Sequence, residues 1–487
     1  MHINYKAQDG WAADFIPFYW QGEYHLFYLK DFRDIPGHGE GTPWCHLVTR
    51  DFITFVDHGE CLARGTIEDQ DLYVFTGSVV QGEGKFHIFY TGHNPHFREL
   101  GRPEQAIMHA VSDDLTTWRK VPEDTFFAPQ DRFEAHDWRD PFVFWNEEAR
   151  EYWMLTAARL KTGPSRRRGC TALCASKDLA HWEIREPFYS PNLYYTHECP
   201  DLFRMKDWWY LVFSEFSDAC LTRYRMARSL EGPWISPEVD SFDGRALYAA
   251  KTAGGETNDS AFFRRYLFGW NPTRVGNSDS GAWQWGGNLV VHELVQRADG
   301  TLAACIPESV RNYYNQPVQY QAAQGLNSGG QQGDEVQLEA ENRYSCLSLG
   351  NLPQNALIEA SVVFQKPTVS LGVMLRTSQD LETGYILRLE PQRSRVVLDS
   401  WPRPGDRPFM VELERPVSLQ PGVEIRLVMY VDGSLCEVYI EGQAAMSARL
   451  YDHPEGEWGF FVAEGSARFS NIRLLIPTQS SDPPPAA

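Results

Sequence analysis

No stretch of this chain approaches the roughly 18 consecutive apolar residues that a helical membrane span requires, which excludes insertion of that kind. Basic charge is also short. Lys and Arg number 45 against 65 Asp and Glu, and a net charge of −20 offers no basic footprint for a phosphate backbone, so nucleic acid is excluded as a partner. Cysteine is thinly used, with nine residues at irregular spacing and no paired Cys-x-x-Cys of the zinc type. His292-Glu293 lacks the second His of a zinc-binding helix motif, and no metal and no cofactor is expected. Residues 1–6 lack the apolar core of a secretory signal, so the cysteines read as reduced thiols and the location as cytoplasmic. Sustained helical periodicity is missing too, which leaves β-structure.

Aromatic side chains are abundant. They form 14% of the chain, and its 16 Trp exceed what a core needs, so a share of them, Trp44 included, is expected to line a concave surface where rings meet the CH faces of sugars. Aromatic-rich strands recur at residues 24–28, 86–90, 152–155, 210–213 and 266–270, in steps of 62, 66, 58 and 56 residues. A second template runs out of phase with the first: residues 47–52 with Phe55, 110–115 with Trp118, 174–179 with Trp182, and a looser copy at 226–230 with Trp234. Five units of short alternating strands predict an all-β fold, a five-bladed β-propeller. From about Val336 the strands are short and regularly spaced without the Trp turn, as in a β-sandwich. The expected division is a propeller over 1–315, a Gly-rich linker over 316–335, a sandwich over 336–477 and a disordered tail over 478–487.

The first strand of each propeller blade lines the central channel, so equivalent positions converge on the axis. Asp14, Asp140 and Glu198 precede their aromatic strands by 10, 12 and 12 residues and are expected to meet at one end of that channel. Phe75-Thr76-Gly77-Ser78 holds the same address in the second unit and Lys251-Thr252-Ala253-Gly254 lies near it in the fifth, adding a wall of hydroxyls. Carboxylates brought together cannot all ionise cheaply. One protonated and one ionised is the division of labour that glycoside hydrolysis uses. Glu198, with the longer side chain and the poorly solvating neighbours His197, Pro200 and Phe203, is the expected proton donor, and Asp14 the nucleophile. Asp140, beside Arg139, is expected to have a depressed pKa and to stabilise an oxocarbenium-like transition state. Arg139, Trp44, Phe75, Thr76, Ser78, His197, Trp270 and Trp285 are the expected contacts to an oligosaccharide substrate.

These motifs resemble the β-fructofuranosidase family, glycoside hydrolase family 32, of invertases, inulinases and levanases. Arg139-Asp140-Pro141 is similar to its Arg-Asp-Pro motif, Glu198-Cys199-Pro200 to its Glu-Cys-Pro motif, and Phe75-Thr76-Gly77-Ser78 to its Phe-Ser-Gly-Ser. Gly269-Trp270, Trp285-Gly286-Gly287-Asn288-Leu289 and Glu293-Leu294 resemble its last blade, and Val431-Asp432-Gly433-Ser434 with Glu437-Val438-Tyr439 its C-terminal sandwich. The resemblance spans nearly the whole chain. It implies a retaining mechanism with Asp14 as nucleophile, Glu198 as acid/base and Asp140 as transition-state stabiliser. Two departures stand out. Ala13-Asp14-Phe15-Ile16-Pro17 replaces the family's Asn-Asp-Pro-Asn-Gly, and Leu29 replaces a Gln, which removes polar contacts around the reacting sugar. The substrate is therefore a β-fructoside or a similar furanoside.

Two other readings share these residues. An inverting, arabinan-type furanosidase would separate its carboxyl groups by roughly 6.5–9.5 Å instead of about 5–5.5 Å. A carbohydrate-binding protein would have kept the pocket and lost turnover. Arg166-Arg167-Arg168 reads as a solvated turn or a clamp for an anionic sugar group, and Asn258-Asp259-Ser260 as a plain loop despite fitting a glycosylation acceptor.

Overall fold

A computed structural model describes residues 3–33, 35–255, 264–327, 329–403 and 413–478, and within them the regular structure is almost all β-strand. The strands fall into an eight-stranded, two four-stranded, one three-stranded and one 13-stranded sheet. Five of them open antiparallel meanders: β1 (Trp11–Trp20), β2 (Tyr73–Gly82), β3 (Phe133–Asn146), β4 (Glu198–Met205) and β5 (Tyr248–Gly255). The first and fifth meanders join into one sheet through the pairing of Ala12 with Gly287.

Each of these five strands carries one extra residue against its partner, at one recurring place. Ala13 and Ile16 face Leu29 and Phe27, and Phe75 and Gly77 face Thr91 and Tyr90. Arg139 and Phe142 face Ala157 and Leu155, Glu198 and Asp201 face Ser214 and Val212, and Tyr248 and Lys251 face Trp270 and Phe268. A bulge bends its strand and re-aims a side chain. At four of the five the backbone enters the left-handed region at a residue other than Gly: Asp14 (φ 45°), Asp140 (φ 59°), Cys199 (φ 50°) and Ala249 (φ 49°). Each such residue costs on the order of 1–3 kcal/mol, and persists where its surroundings over-determine it.

The turn of the second template has an equally local cause. Asp51, Asp114 and Asp178 accept through Oδ1 from the backbone N–H of Thr54 (2.8 Å), Thr117 (2.7 Å) and His181 (2.9 Å). The residue after each acid, Phe52, Leu115 or Leu179, takes a positive φ and buries its side chain beneath the sheet.

The 13-stranded sheet has its own apolar core, which includes Val336, Leu375, Val438, Trp458 and Phe469. Short strands run through the expected linker over 316–335. Tyr314–Pro317 pairs with Glu457–Pro477, and Gln324–Leu326 and Gln331–Gln332 pair with Glu335–Asn351, because its polar residues can line a solvated sheet edge. The two halves of the chain meet over buried polar contacts. His292 Nε2 lies 2.9 Å from Asp243 Oδ2, Ser447 donates its N–H to Asp243 Oδ1 (2.8 Å) and its hydroxyl to Glu437 Oε2 (2.6 Å), and Arg449 donates to Asn288 Oδ1 (2.7 Å) and Asn271 O (2.8 Å). Asn258-Asp259-Ser260 and the tail from residue 479 lie outside the described residues.

Candidate active site

The recurring bulge assembles the site. Asp14 and Asp140 stand at its left-handed position in β1 and β3. Glu198 stands one residue earlier, at the position of Arg139 in β3 and Tyr248 in β5, so the acids occupy two adjacent addresses where the spacing predicts one. Arg139 spans the gap: Nη2 donates to Glu198 Oε1 (2.9 Å), Nη1 to Asp137 Oδ1 (2.7 Å), and Nε lies 3.7 Å from Asp140 Oδ2. Tyr248 donates to the other Glu198 oxygen, Oε2 (2.5 Å). Asp14 accepts from Thr76 Oγ1 (2.6 Å) through Oδ2 and from Trp270 Nε1 (3.0 Å) through Oδ1. Asp140 accepts from the backbone N–H of Cys199 (2.9 Å), and its own N–H donates to Thr91 Oγ1 (2.7 Å).

Burial governs the electrostatics. It pushes the Asp14 carboxyl up to about 7, against the bond from Thr76, with Asp140 and Glu198 adding to the rise. For Asp140 burial outweighs the neighbouring guanidinium of Arg139, and the carboxyl is raised to about 6, where the sequence alone predicts a depressed value. Desolvation of a fully buried carboxylate exceeds what one cation 3.7 Å away returns. Burial pulls the Arg139 guanidinium down, yet Glu198, Asp137 and Asp140 hold it above its ordinary value.

The other expected contacts divide into two groups. Trp270, which donates to Asp14, carries Trp285 and Phe75 with it: Trp285 has its ring centroid 6.5 Å from both Trp270 and Phe75 and is 36% exposed, as a sugar platform requires. Thr76 and Arg139 hold carboxylates. Trp44, Ser78 and His197 do not reach the site. Trp44 is fully buried with Leu29, Val74 and Tyr90, and its Nε1 donates to Phe75 O (3.1 Å). Ser78 Oγ accepts from Val143 N (2.9 Å), tying two sheets together. His197 is fully buried, stacked on Phe213 (4.5 Å), and burial lowers its pKa to about 3.

The substituted positions of the first motif are apolar packing. Ala13, Phe15, Ile16 and Leu29 are all buried, Phe15 against Tyr28 and Leu29 with Trp44. Trp44 therefore supports the site from behind. Trp44→Ala is expected to cost about 3–5 kcal/mol of stability through the cavity it leaves, and Trp44→Phe about 1 kcal/mol for the lost hydrogen bond. Thermal unfolding beside KM checks this: a Phe variant with KM raised tenfold at unchanged stability would return Trp44 to the sugar surface.

Tyr248, Thr91, Asp137 and the Cys199 N–H are functional groups that motif reading passes over. The bulge register identifies Tyr248, but it precedes its aromatic strand by 18 residues against 12 for Glu198, and the longer connection hides the equivalence.

An all-β scaffold that gathers three carboxylates under one guanidinium beside exposed aromatic rings defines a glycosidase. The chain belongs to glycosyl hydrolases family 32, whose N-terminal domain model matches residues 4–298 and whose C-terminal model matches residues 319–475. It is similar to the levanbiose-producing levanase of Bacillus subtilis, 25% identical over 97% of this chain and 89% of that one. The sucrose-6-phosphate hydrolase of Escherichia coli is 26% identical over 96% of this chain and 92% of its own. Among solved structures, the sucrose-6-phosphate hydrolase of Lactobacillus gasseri superposes with a TM-score of 0.73 at 19% identity, covering 98% of this chain and 93% of that chain. The exo-inulinase of Aspergillus awamori does so with a TM-score of 0.73 at 16% identity, covering 98% and 99%. At these identities the structural likeness speaks for the fold. No helix among the described residues is long and apolar enough to cross a membrane.

Proposed function

We propose that the protein hydrolyses β-fructofuranosidic bonds of short oligosaccharides with retention of configuration. The convergence of Asp14 with Asp140 and Glu198, the last two joined by Arg139, in a chain of family 32, carries this reading. The relatives named above act on levan and on sucrose 6-phosphate, and a further one is a raffinose invertase, 24% identical over 94% of this chain, all consistent with a fructosyl substrate. They do not favour an arabinan-type inverting enzyme or a binding protein without turnover. We read the five bulged strands as the inner strands of a five-bladed propeller over 1–315, followed by a linker over 316–335 and a sandwich over 336–477. Nine free thiols fit a reducing, cytoplasmic setting.

Asp14 attacks the anomeric carbon, forming a fructosyl ester, while Glu198 gives its proton to the departing oxygen. Glu198 then takes a proton from water, which attacks the same carbon and frees Asp14. Asp140 accepts from sugar hydroxyls, and its charge steadies the oxocarbenium-like transition state. Trp270 and Thr76 each occupy one Asp14 oxygen and hold the nucleophile in line.

Release of fructose from sucrose, levan-type and inulin-type oligosaccharides, with no cleavage of aryl arabinofuranosides, is the expected result. NMR at early times should show the β-anomer first. Initial release of the α-anomer would overturn retention, and arabinofuranoside cleavage alone would overturn the fructosyl reading. The nucleophile must be ionised, and Asp14 is raised to about 7 with Asp140 at about 6. On these values kcat/KM falls as pH drops, with apparent pKa values of about 6–7 that belong to the coupled acids together. A profile still flat at pH 5 would contradict that assignment.

A further inference from the structure

A buried cation of the inner strands has no part in the steps derived for the three acids. Lys251 is 2% exposed and follows the left-handed Ala249 of β5 by two residues, the address that Phe142 holds after Asp140 in β3. Its ammonium donates to Pro200 O (2.9 Å), its one hydrogen bond among the described residues, and stands 5.2 Å from the centroid of the Phe142 ring. An ammonium carries three N–H groups, and burying it on a single acceptor is costly unless other charges answer it. The strand does not need this contact to stay in place. Thr252 donates its N–H (2.6 Å) and its hydroxyl (2.5 Å) to Asp201 Oδ2, which pins β5 to β4 independently of the lysine.

Both contacts lead to Asp140. Pro200 follows Cys199, whose N–H donates to Asp140 Oδ2 (2.9 Å), and Phe142 lies two residues beyond Asp140 on the same strand. The ammonium thus touches the strand that carries this carboxyl and the strand that binds it. The charged and titratable groups facing Asp140 are Asp14 from β1, Arg139 from its own strand, Glu198 and the Cys199 thiol from β4, and Lys251 from β5. Arg139 divides its charge among Glu198, Asp137 and Asp140. Lys251 has no ion pair of its own among the described residues. We propose that Lys251 is a positioning residue of the reaction, which holds the Cys199–Pro200 segment against Asp140 and supplies a second positive charge that keeps Asp140 ionised. The inference rests on Asp140 being the transition-state stabiliser. Burial raises the Asp140 carboxyl, and the lysine works against that rise alongside Arg139.

The test is the pH profile of kcat/KM for fructose release from sucrose by the intact enzyme and two variants. Lys251→Met removes the charge and the donor on an unbranched stem, and Lys251→Gln keeps an N–H for Pro200 O without the charge. Loss of the cation raises Asp140 further, so in both variants the acid limb should move up by about one pH unit, the low end of what an opposite charge supplies. That shift reads as a loss of about tenfold at pH 5 and of less than about threefold at pH 8.5. A residue that only fills space would lower both ends by one factor. An equal loss across the range, no loss at pH 5, or a limb moved to lower pH overturns the proposal. The unfolding midpoint needs no turnover. Asp140, at about 6 in the fold against 3.8 unfolded, costs stability as pH rises between those values, and a higher folded value extends the loss. The midpoint of Lys251→Met should therefore fall further between pH 5 and pH 8 than that of the wild type, on the order of 1–2 °C. Parallel midpoints overturn the proposal. If the wild type releases fructose and the profiles coincide, the role of Lys251 alone fails. If it cleaves no β-fructofuranoside, the parent reading fails and the role in the reaction with it, while the midpoints still decide whether the lysine acts on Asp140.

Discussion

Asp14→Asn is expected to lower kcat by about 10⁴-fold or more, as removal of a covalent nucleophile does, and to raise thermal stability. The two effects share a cause. Asp14 sits in a left-handed bulge with its carboxyl desolvated, and its folded value of about 7 stands well above the unfolded 3.8. Below pH 3.8 folded and unfolded chains both hold the proton and the group costs nothing. As pH rises from there through about 7, the unfolded chain ionises first and stability is lost; above about 7 the loss is complete. At about 1.4 kcal/mol per pH unit the total is a few kcal/mol, shared with Asp140. Asn does not ionise, and one of its groups can accept from Trp270 as the carboxylate does. Its gain should be largest at pH 8 and vanish near pH 4. Unfolding midpoints of both proteins across that range, with turnover of sucrose, check the claim. An Asn variant within tenfold of wild-type turnover, or one melting lower at pH 8, would sink it.

The repeat spacing makes the five bulged strands legible, since each aromatic strand needs a partner and counting back from it reaches the site. The Arg139 and Asp140 pair and the Glu198 and Cys199 pair could be found that way. The one-residue offset between Asp140 and Glu198 could not, because a bulge inserts its extra residue without a compositional mark. Trp44 shows a second limit: a Trp surplus says that some rings face solvent without saying which, and this ring closes the core behind Phe75. Asp140 shows a third. Its guanidinium neighbour is plain in the sequence, whereas the desolvation that outweighs it arises only when the folded chain buries the carboxyl. The apolar first motif fits the same picture. Phe15, Ile16 and Leu29 repack the wall behind the nucleophile, while the bonds from Thr76 and Trp270 hold Asp14 without the polar flanks that the family usually supplies.

Glu198→Gln is expected to lower kcat/KM for sucrose by about 10²–10⁴-fold, the usual worth of a positioned general acid. The loss should depend on the leaving group. Arg139 holds Oε1 at 2.9 Å and Tyr248 holds Oε2 at 2.5 Å, so the carboxyl has one orientation. A tyrosine hydroxyl can donate or accept. When Oε2 carries the proton, Tyr248 turns to accept it, and when that proton has gone to the departing sugar, Tyr248 turns back to donate. Gln keeps an acceptor for one of these contacts and has no acid to give. A sugar alkoxide cannot leave without that proton, whereas nitrophenolate can. For p-nitrophenyl β-fructofuranoside the variant should therefore form the ester on Asp14 with a loss at least about tenfold smaller, and then stall for want of a base. Azide needs no base, and should release the stalled enzyme as a fructosyl azide of retained configuration. Equal losses on both substrates would remove Glu198 from the acid role, and an azide product of inverted configuration would remove Asp14 from the covalent one.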